Sequence, residues 1–308
     1  MLPLYAALAA FAVILATDPQ TYAAACTQGI ALWANCVLPA LFPFMVITLI
    51  LIRTGGAEAM GAPFGPLFKK LNLPKAAAGL FFMSAVSGYP AGSRMLAEFY
   101  GGGRLTKDAA GRLAPLCSTS GPMFILGSVG GMLEGGGAAL LAAHLASVAA
   151  TGLALCAAKR RKPGLSKTIN PTAAGQGDVL YDCFYGAVTA VVLAGGFICF
   201  FNVSCTALEN IGFFMLPEAA LEPLLGGAAA GVCRGLIEAT GGCARVIECG
   251  GRLALPITGF LITFGGLSII LQQLCYLTKC GVKPLAFIAA KALQGGVCFL
   301  LLLPFAMA

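Results

Sequence analysis

The sequence predicts an all-α polytopic membrane protein built as an inverted-topology repeat. Its 308 residues are 59% hydrophobic and only 10% charged, whereas soluble domains carry about 25% charged residues. Several apolar stretches are long enough to cross a bilayer. Two others, residues 76–100 and 221–250, are interrupted in a similar way by glycines and charged residues. Paired interruptions in the two halves of a membrane protein indicate a transport site.

Uninterrupted apolar stretches predict about seven full spans. They lie near residues 2–17, 30–52, 114–133, 137–158, 183–206, 253–276 and 283–304. The first is interpreted as a transmembrane helix rather than a signal peptide, because no basic segment precedes it. The net charge of +7 comes mostly from the loops between spans. It is therefore interpreted as a signal of orientation in the bilayer, and no nucleic-acid partner is expected.

The positions of basic residues decide how the interrupted segments are interpreted. If residues 76–100 crossed the bilayer, the basic residues before and after them would lie on opposite sides. If the segment enters and returns as a hairpin, both groups lie on the same side as the basic run at residues 159–162, which is then cytoplasmic. An arm of about ten residues rises about 15 Å, half of a hydrocarbon core. We therefore predict re-entrant helical hairpins near 76–100 and 221–250, in opposite orientations.

This topology divides the chain into four parts. They are an N-terminal transmembrane helix in residues 1–28, a first repeat in 29–158, a basic cytoplasmic linker in 159–182 and an inverted second repeat in 183–308. Each repeat would contain one span, one hairpin and two further spans. A site between the repeats would then face either side of the membrane in turn.

Arginines beside the interruptions are the main candidates for solute binding. Arg94 follows the first interruption, and Arg234 and Arg245 flank the second. Arginine binds carboxylates through two hydrogen bonds, and helix N-termini favour anions. We expect Arg94 and one of the other two arginines to bind an anionic solute near the midplane. The alternative is that the arginines neutralise neighbouring glutamates, and Glu98 and Glu238 either titrate with transport or stay ion-paired.

Hydroxyl groups and glycines complete the candidate binding set. These residues are Ser87, Gly88, Tyr89, Gly92, Ser118, Thr119, Ser120, Thr258 and Gly259. Ser120 either contacts the solute or a cation, or caps the following helix, and these two roles are compatible. Thr258-Gly259 is the candidate counterpart of Ser120-Gly121, because a further glycine follows each pair at the same spacing.

Other polar and sulfur-containing residues predict no metal or cofactor. His144 and Lys291 lie within spans, where they either relay protons or form hydrogen bonds between helices. The 13 cysteines are scattered and are interpreted as small apolar residues. Residues 175–178 read Gly-Gln-Gly-Asp and resemble the motif of intramembrane aspartyl proteases. Asp178 and Asp182 lie together in or beside a polar loop, so we predict no enzyme activity.

Three segments together resemble one known family. They are residues 38–44, 87–95 and 117–124. They are similar to the YlbJ (SpoVV) family of sporulation integral membrane proteins, and the likeness is strongest between residues 38 and 126. That family carries the nucleoside-recognition, or Gate, domain and is related to concentrative nucleoside transporters, whose fold uses two opposed hairpins. The resemblance implies movement of dipicolinic acid across a cell or forespore membrane during sporulation.

The predicted function is transport of a small anionic solute by alternating access. Dipicolinate comes first, because its two carboxylates suit the arginines. A nucleoside or nucleobase is the alternative, although no segment rich in Asn, Gln and Glu marks a nucleoside site. A non-transporting scaffold in a sporulation membrane is a further alternative, which the charged interruptions disfavour. The lipid bilayer is an expected partner, and a homo-oligomer is compatible with the sequence.

Overall fold

The computed structural model describes residues 2–133, 135–158 and 176–307. Regular secondary structure in these ranges is helical and includes no strand, which confirms the all-α prediction. The basic run at 159–162 and most of the predicted linker at 159–182 lie outside the described residues, as does the side chain of Asp178.

The α-helices of the described residues follow one another in this order. They are α1 (Leu2–Thr17), α2 (Pro19–Leu32), α3 (Leu38–Arg53), α4 (Gly56–Gly61), α5 (Gly65–Lys70), α6 (Ala76–Ser87), α7 (Ala91–Gly101), α8 (Lys107–Leu113), α9 (Gly137–Ala158), α10 (Gln176–Asn210), α11 (Met215–Leu225), α12 (Ala228–Ile237), α13 (Ala239–Cys249), α14 (Ala254–Phe264), α15 (Gly266–Leu277) and α16 (Pro284–Met307). A π-helical turn at Trp33–Val37 joins α2 to α3. A second one covers Phe124–Val129.

Five helical stretches of the described chain are long and apolar enough to cross a membrane. They are Pro19–Arg53, Gly137–Ala158, Val179–Asn210, Ala254–Cys280 and Pro284–Ala306. The prediction of about seven continuous spans is therefore too high. Helix α1 has 16 residues, fewer than the roughly 20 that a span needs.

The predicted span at 114–133 is wrong as a continuous helix. Residues 115–121, here named the non-helical segment, form turns and loop between α8 and the π-helical turn. Backbone atoms of the preceding hairpin pack directly on this segment. A Cβ atom on Gly92 would lie only 2.0 Å from the Cys117 carbonyl oxygen. Apolar composition alone did not reveal this interruption.

Two pairs of short helices occupy the interrupted segments. The first hairpin consists of α6 and α7, joined by residues 88–90, and the second consists of α12 and α13, joined by Glu238 alone. The second hairpin packs closely because glycines face each other. A Cβ atom on Gly242 would lie 2.1 Å from the Cα atom of Gly235. The glycines that looked like helix interruptions therefore also permit close packing of the two arms.

Each hairpin tip packs against a place where another helix is broken. A Cβ atom on Gly88 would lie 2.4 Å from the Gly121 amide nitrogen, and one on Gly266 would lie 2.7 Å from the Gly235 carbonyl oxygen. Gly265 and Gly266 have φ values of +92° and +62°, which separate α14 from α15 and suit only glycine.

The 35-residue helix α10 runs beside both hairpins and the α2–α3 span. Trp33 donates its indole N–H to the Val191 carbonyl oxygen at 3.0 Å. Gly29 allows close approach to the backbone of Cys199, because a Cβ atom there would lie 2.8 Å from the Cys199 Cα atom. These contacts hold α10 in place, and its residues line both a small central cavity and a larger cleft.

Candidate functional site

The two hairpin tips meet at a small central cavity. Tyr89 of the first tip and Thr240 of the second both line it. The other lining residues are Val37, Leu41, Ser120, Gly121, Phe124, Ala194, Ile198, Ile269 and Gln272. The cavity volume is about 30 Å³, which is room for a water molecule or two and not for an organic solute. The core between the hairpins is therefore closed in this structure.

A larger cleft, here named the arginine cleft, lies on the other side of the second hairpin. Its lining residues are Gln28, Ala31, Leu32, Asn35, Cys36, Asn202, Thr206, Glu209, Arg234, Gly241, Ala244 and Arg245. Its volume of about 460 Å³ falls within the range typical of small-molecule sites. Thr240 lines the central cavity and its neighbour Gly241 lines the cleft. The first turn of α13 therefore separates the two spaces.

Two guanidinium groups share one carboxylate at the arginine cleft. Arg234 and Arg245 each place Nη1 2.8 Å from Oε1 of Glu209. Arg234 also donates to the side-chain oxygen of Asn202. The side chain of Arg234 is 7% exposed and that of Arg245 is 45% exposed. One positive charge of this trio is left without a carboxylate, and Arg245 presents it to solvent, which favours an anionic ligand.

Glu238 forms the single-residue tip of the second hairpin. Its carboxylate accepts hydrogen bonds from the amides of Thr240 at 3.0 Å and Gly241 at 2.6 Å. The residue is buried, and its negative charge lies at the N-terminus of α13, where the helix dipole favours it. Glu238 thus caps α13, and the ion pair of Arg234 in the described chain is with Glu209 instead.

Arg94 lies at the opposite end of α10 from the arginine cleft. Its Nε atom is 3.0 Å from Oε1 of Glu98, and it also donates to the Gly186 carbonyl oxygen. Arg234 contacts Asn202, which is 16 residues farther along the same helix, and this separation corresponds to about 24 Å. In this structure α10 therefore holds Arg94 and Arg234 too far apart for one small solute to contact both.

The other predicted residues of the first hairpin anchor it. The Ser87 hydroxyl oxygen lies 2.7 Å from both Thr48 Oγ1 and the Met83 carbonyl oxygen, within hydrogen-bond distance of each. Gly88 and Gly92 provide the close contacts with the non-helical segment. Tyr89 reaches across to α14 and donates to the Ile262 carbonyl oxygen. Of these, Tyr89 also lines the central cavity.

The predicted hydroxyl residues of the non-helical segment connect several helices. Thr119 donates its hydroxyl group to the Ser84 carbonyl oxygen at 3.0 Å. The Ser120 amide donates to Nε2 of His144 at 2.9 Å, and His144 Nδ1 lies 2.9 Å from Thr263 Oγ1. Ser120 lines the central cavity, and the carbonyl oxygen of Ser118 accepts a hydrogen bond from Lys291.

Thr258 and Gly259 are not at the break of the second repeat. Both lie inside α14, which is interrupted only at Gly265. A Cβ atom on Gly259 would lie 2.3 Å from a methyl group of Leu302, so this glycine permits packing of α14 on α16. Neither residue lines the cavity or the cleft. Helical backbone continues through both residues, in contrast to Ser120-Gly121 in the non-helical segment, and their contact with a solute stays a prediction.

Comparison with known proteins finds a family model similar to part of the first half of the chain. Residues 36–158 match the family model Gate, described as nucleoside recognition. The match covers 123 of the 308 residues. The chain is also similar to the sporulation integral membrane protein YlbJ of Bacillus subtilis (strain 168), with 25% identity over 318 residues, 91% of this chain and 76% of that protein. No solved structure matches it. The predicted family resemblance and the integral membrane location are confirmed.

The Gate domain and the arginine cleft occupy mostly different parts of the chain. The Gate match includes the first hairpin, the non-helical segment and α9. The second hairpin with Arg234 and Arg245, and the end of α10 with Asn202 and Glu209, follow the matched range. The family match alone therefore does not identify the cleft.

Amide side chains of the cleft were missed by the sequence interpretation. Gln28, Asn35 and Asn202 come from α2, the π-helical turn and α10, and meet only in three dimensions. The absence of a segment rich in Asn, Gln and Glu therefore does not prevent amide groups from gathering at one cleft. One signal was available, because Asn202 is a polar residue inside an apolar span, and such residues are usually functional.

Proposed function

We propose that this protein is a sporulation-associated membrane transporter that moves a small carboxylated solute by alternating access. Dipicolinate is the first candidate solute, and a bacterial cell membrane or the forespore membrane is the location. The observation that carries the proposal is the arrangement around α13. A solute-sized cleft with two arginines lies beside a closed cavity between two hairpin tips, and one helical turn separates them. The sporulation role is taken from the similarity to YlbJ.

The proposed topology is an inverted repeat with two re-entrant hairpins. Their arms, α6, α7, α12 and α13, have 12, 11, 10 and 11 residues. Such arms rise about 15–18 Å, roughly half of the hydrocarbon core. In each half, the hairpin tip packs against a helix break, so polar backbone is buried in protein as a membrane interior requires.

In the proposed cycle the solute first binds in the arginine cleft. Arg245, half exposed and paired with a shared carboxylate, contacts a solute carboxylate first. Arg234 is nearly buried and holds the second hairpin to α10 through Asn202 and Glu209. A carboxylate that competes with Glu209 for these arginines weakens that attachment. The start of α13 can then move, which opens the path from the cleft to the central cavity.

A nucleoside is the second candidate solute. The Gate family is described as nucleoside recognition, and the amide groups of Gln28, Asn35 and Asn202 border the cleft. An amide side chain both donates and accepts hydrogen bonds, which matches the edge of a nucleobase. The cleft volume of about 460 Å³ accommodates either solute.

Thermal stabilisation of the purified protein distinguishes the two solutes. A ligand that binds the folded state raises the melting temperature as its concentration increases. We expect a rise with dipicolinate and none with its uncharged dimethyl ester. Arg245→Gln should require about tenfold more dipicolinate for the same rise, whereas the exposed Lys279→Gln, with the same loss of charge, should respond as the wild type does. A rise with uridine alone would support the nucleoside, and no rise with either solute would contradict the proposed site.

A further inference from the structure

A lysine side chain is buried where the first hairpin, the non-helical segment and α16 meet. Lys291 is 0% exposed, and its Nζ atom donates to the Ser118 carbonyl oxygen at 2.9 Å. The same atom lies 5.3 Å from the centroid of the Tyr89 ring. Burial of an ammonium group is costly unless dipoles or π faces compensate its charge. Both kinds of partner are present here.

The non-helical segment offers groups that suit a cation. The carbonyl oxygens of Pro115 and Ser118 accept hydrogen bonds from side chains of α16, where a continuous helix would supply backbone amides. Gln294 lies one turn beyond Lys291 and donates to the Pro115 carbonyl oxygen at 2.9 Å. The Ser118 hydroxyl oxygen is buried and has no hydrogen-bond partner among the described residues. Unwound backbone of this kind holds coupling cations in transporters with broken helices.

The surroundings of Lys291 supply dipoles rather than carboxylates. The titratable side chains facing it are Tyr89 on the first hairpin, His144 on α9 and Cys298 on its own helix. The ion pairs of the described chain join other residues and do not include Lys291. The ammonium charge is therefore compensated in the way a bound metal cation would be, by carbonyl oxygen and an aromatic ring.

We infer that the Lys291 ammonium is a tethered cation, which occupies a monovalent-cation position between the Ser118 carbonyl oxygen and the Tyr89 ring. It holds the non-helical segment beside the first hairpin and the central cavity without a soluble ion. Removal of the ammonium leaves a small buried space beside the Ser118 carbonyl oxygen. A small monovalent cation such as Na⁺, with its hard preference for oxygen ligands, is then expected to enter.

The test is thermal unfolding of the purified full chain in Na⁺ and in choline at equal ionic strength. No organic solute is added, so the result does not depend on the proposed transport function. Wild-type protein should melt at the same temperature in both salts, because the position is filled. Lys291→Ala should melt several degrees lower in choline and recover part of that loss in Na⁺.

Two control variants separate the cation position from general damage. Lys291→Met fills most of the space with an apolar chain, and its melting temperature should not respond to Na⁺. Gln294→Ala removes a hydrogen bond to the same segment without removing a charge, and it also should not respond.

Three results would overturn the inference. One is a higher melting temperature of the wild type in Na⁺ than in choline, which would show that the position is not filled. The others are equal melting temperatures of Lys291→Ala in both salts and equal Na⁺ responses of Lys291→Ala and Gln294→Ala. If Lys291→Ala does not fold, Lys291→Ser leaves similar space and is tested in the same comparison.

Discussion

The two hairpins share a backbone plan but differ in what surrounds them. The first is held by helices from the second half of the chain, since Tyr89 donates to the Ile262 carbonyl oxygen and Ser93 donates to Gln273 Oε1 at 3.0 Å. The second borders the arginine cleft, which is open to solvent. The first hairpin is thus anchored on both sides, and the second has one side on which a solute can act.

The ion pairs of the two hairpins also differ in whether they join separate helices. Arg94 of the first hairpin is paired within its own helix, with Glu98. Arg234 and Arg245 of the second hairpin bind Glu209 on a different helix. The Arg94–Glu98 ion pair fixes nothing beyond its own helix, and Arg94 reaches α10 through a hydrogen bond to the Gly186 carbonyl oxygen. An ion pair between helices controls their relative position. Similar sequence patterns therefore have different consequences, and the following predictions test this difference.

The largest loss of unfolding free energy is expected when the contact of the first hairpin with the non-helical segment is disturbed. Gly92→Ala would place a Cβ atom 2.0 Å from the Cys117 carbonyl oxygen. Backbone must move to relieve this clash, so we expect a loss of about 3 kcal/mol or more in unfolding free energy. Thermal unfolding in detergent measures it.

The matched control for this prediction is Gly111→Ala in α8. No atom lies within 4 Å of a Cβ added there, and alanine favours a helix over glycine by about 1 kcal/mol. This variant should be as stable as the wild type or more so. Equal losses for the two variants would show that the first hairpin is not anchored through Gly92.

A smaller effect is expected at the tip of the second hairpin. Glu238→Ala leaves the amides of Thr240 and Gly241 without their acceptor. Loss of a buried helix cap costs about 2 kcal/mol. Glu238→Gln keeps an acceptor oxygen and should lose less than half as much by the same thermal measurement. If both variants lose the same amount, the negative charge rather than the cap is what stabilises the tip.

The smallest effect on stability is expected for Arg94→Gln. Its side chain is 20% exposed and that of Glu98 is 34% exposed, and partly exposed pairs contribute little. We expect a loss of about 1 kcal/mol, which includes the hydrogen bond to Gly186. A loss above that of Glu238→Ala would contradict the view that this pair is confined to one helix.

The sequence interpretation located the helix breaks between the arms of both helix pairs, because glycine and charge in an apolar stretch are local signals. The interruption at Ser87-Gly88-Tyr89-Pro90 coincides with the first tip. The break within 115–121 was missed, because the apolar residues on both sides were given more weight than Pro115 and the Gly121-Pro122 pair within and beside it. Sequence reasoning also joined Arg94 with Arg234, since it had no measure of the distance that α10 places between them.

The residues that line the arginine cleft show a second limit of prediction from sequence. Glu209 lies at the end of α10 between two arginines from another part of the chain, and no local sequence pattern predicts that contact. Gln28 and Asn35 had no local pattern that marked them. Such residues become a site only when separate helices pack together, which one sequence does not reveal.

The most direct test of the central claim is uptake of dipicolinate into proteoliposomes by Arg94→Gln and Arg245→Gln. The account places Arg245 at the cleft and Arg94 in a structural pair. Loss of one charge-assisted bond to the solute, worth about 1.4 kcal/mol, lowers affinity roughly tenfold. We therefore predict that Arg245→Gln reduces uptake at low solute concentration about tenfold or more, while Arg94→Gln stays near the wild-type rate. Loss of uptake in Arg94→Gln with normal uptake in Arg245→Gln would contradict the account.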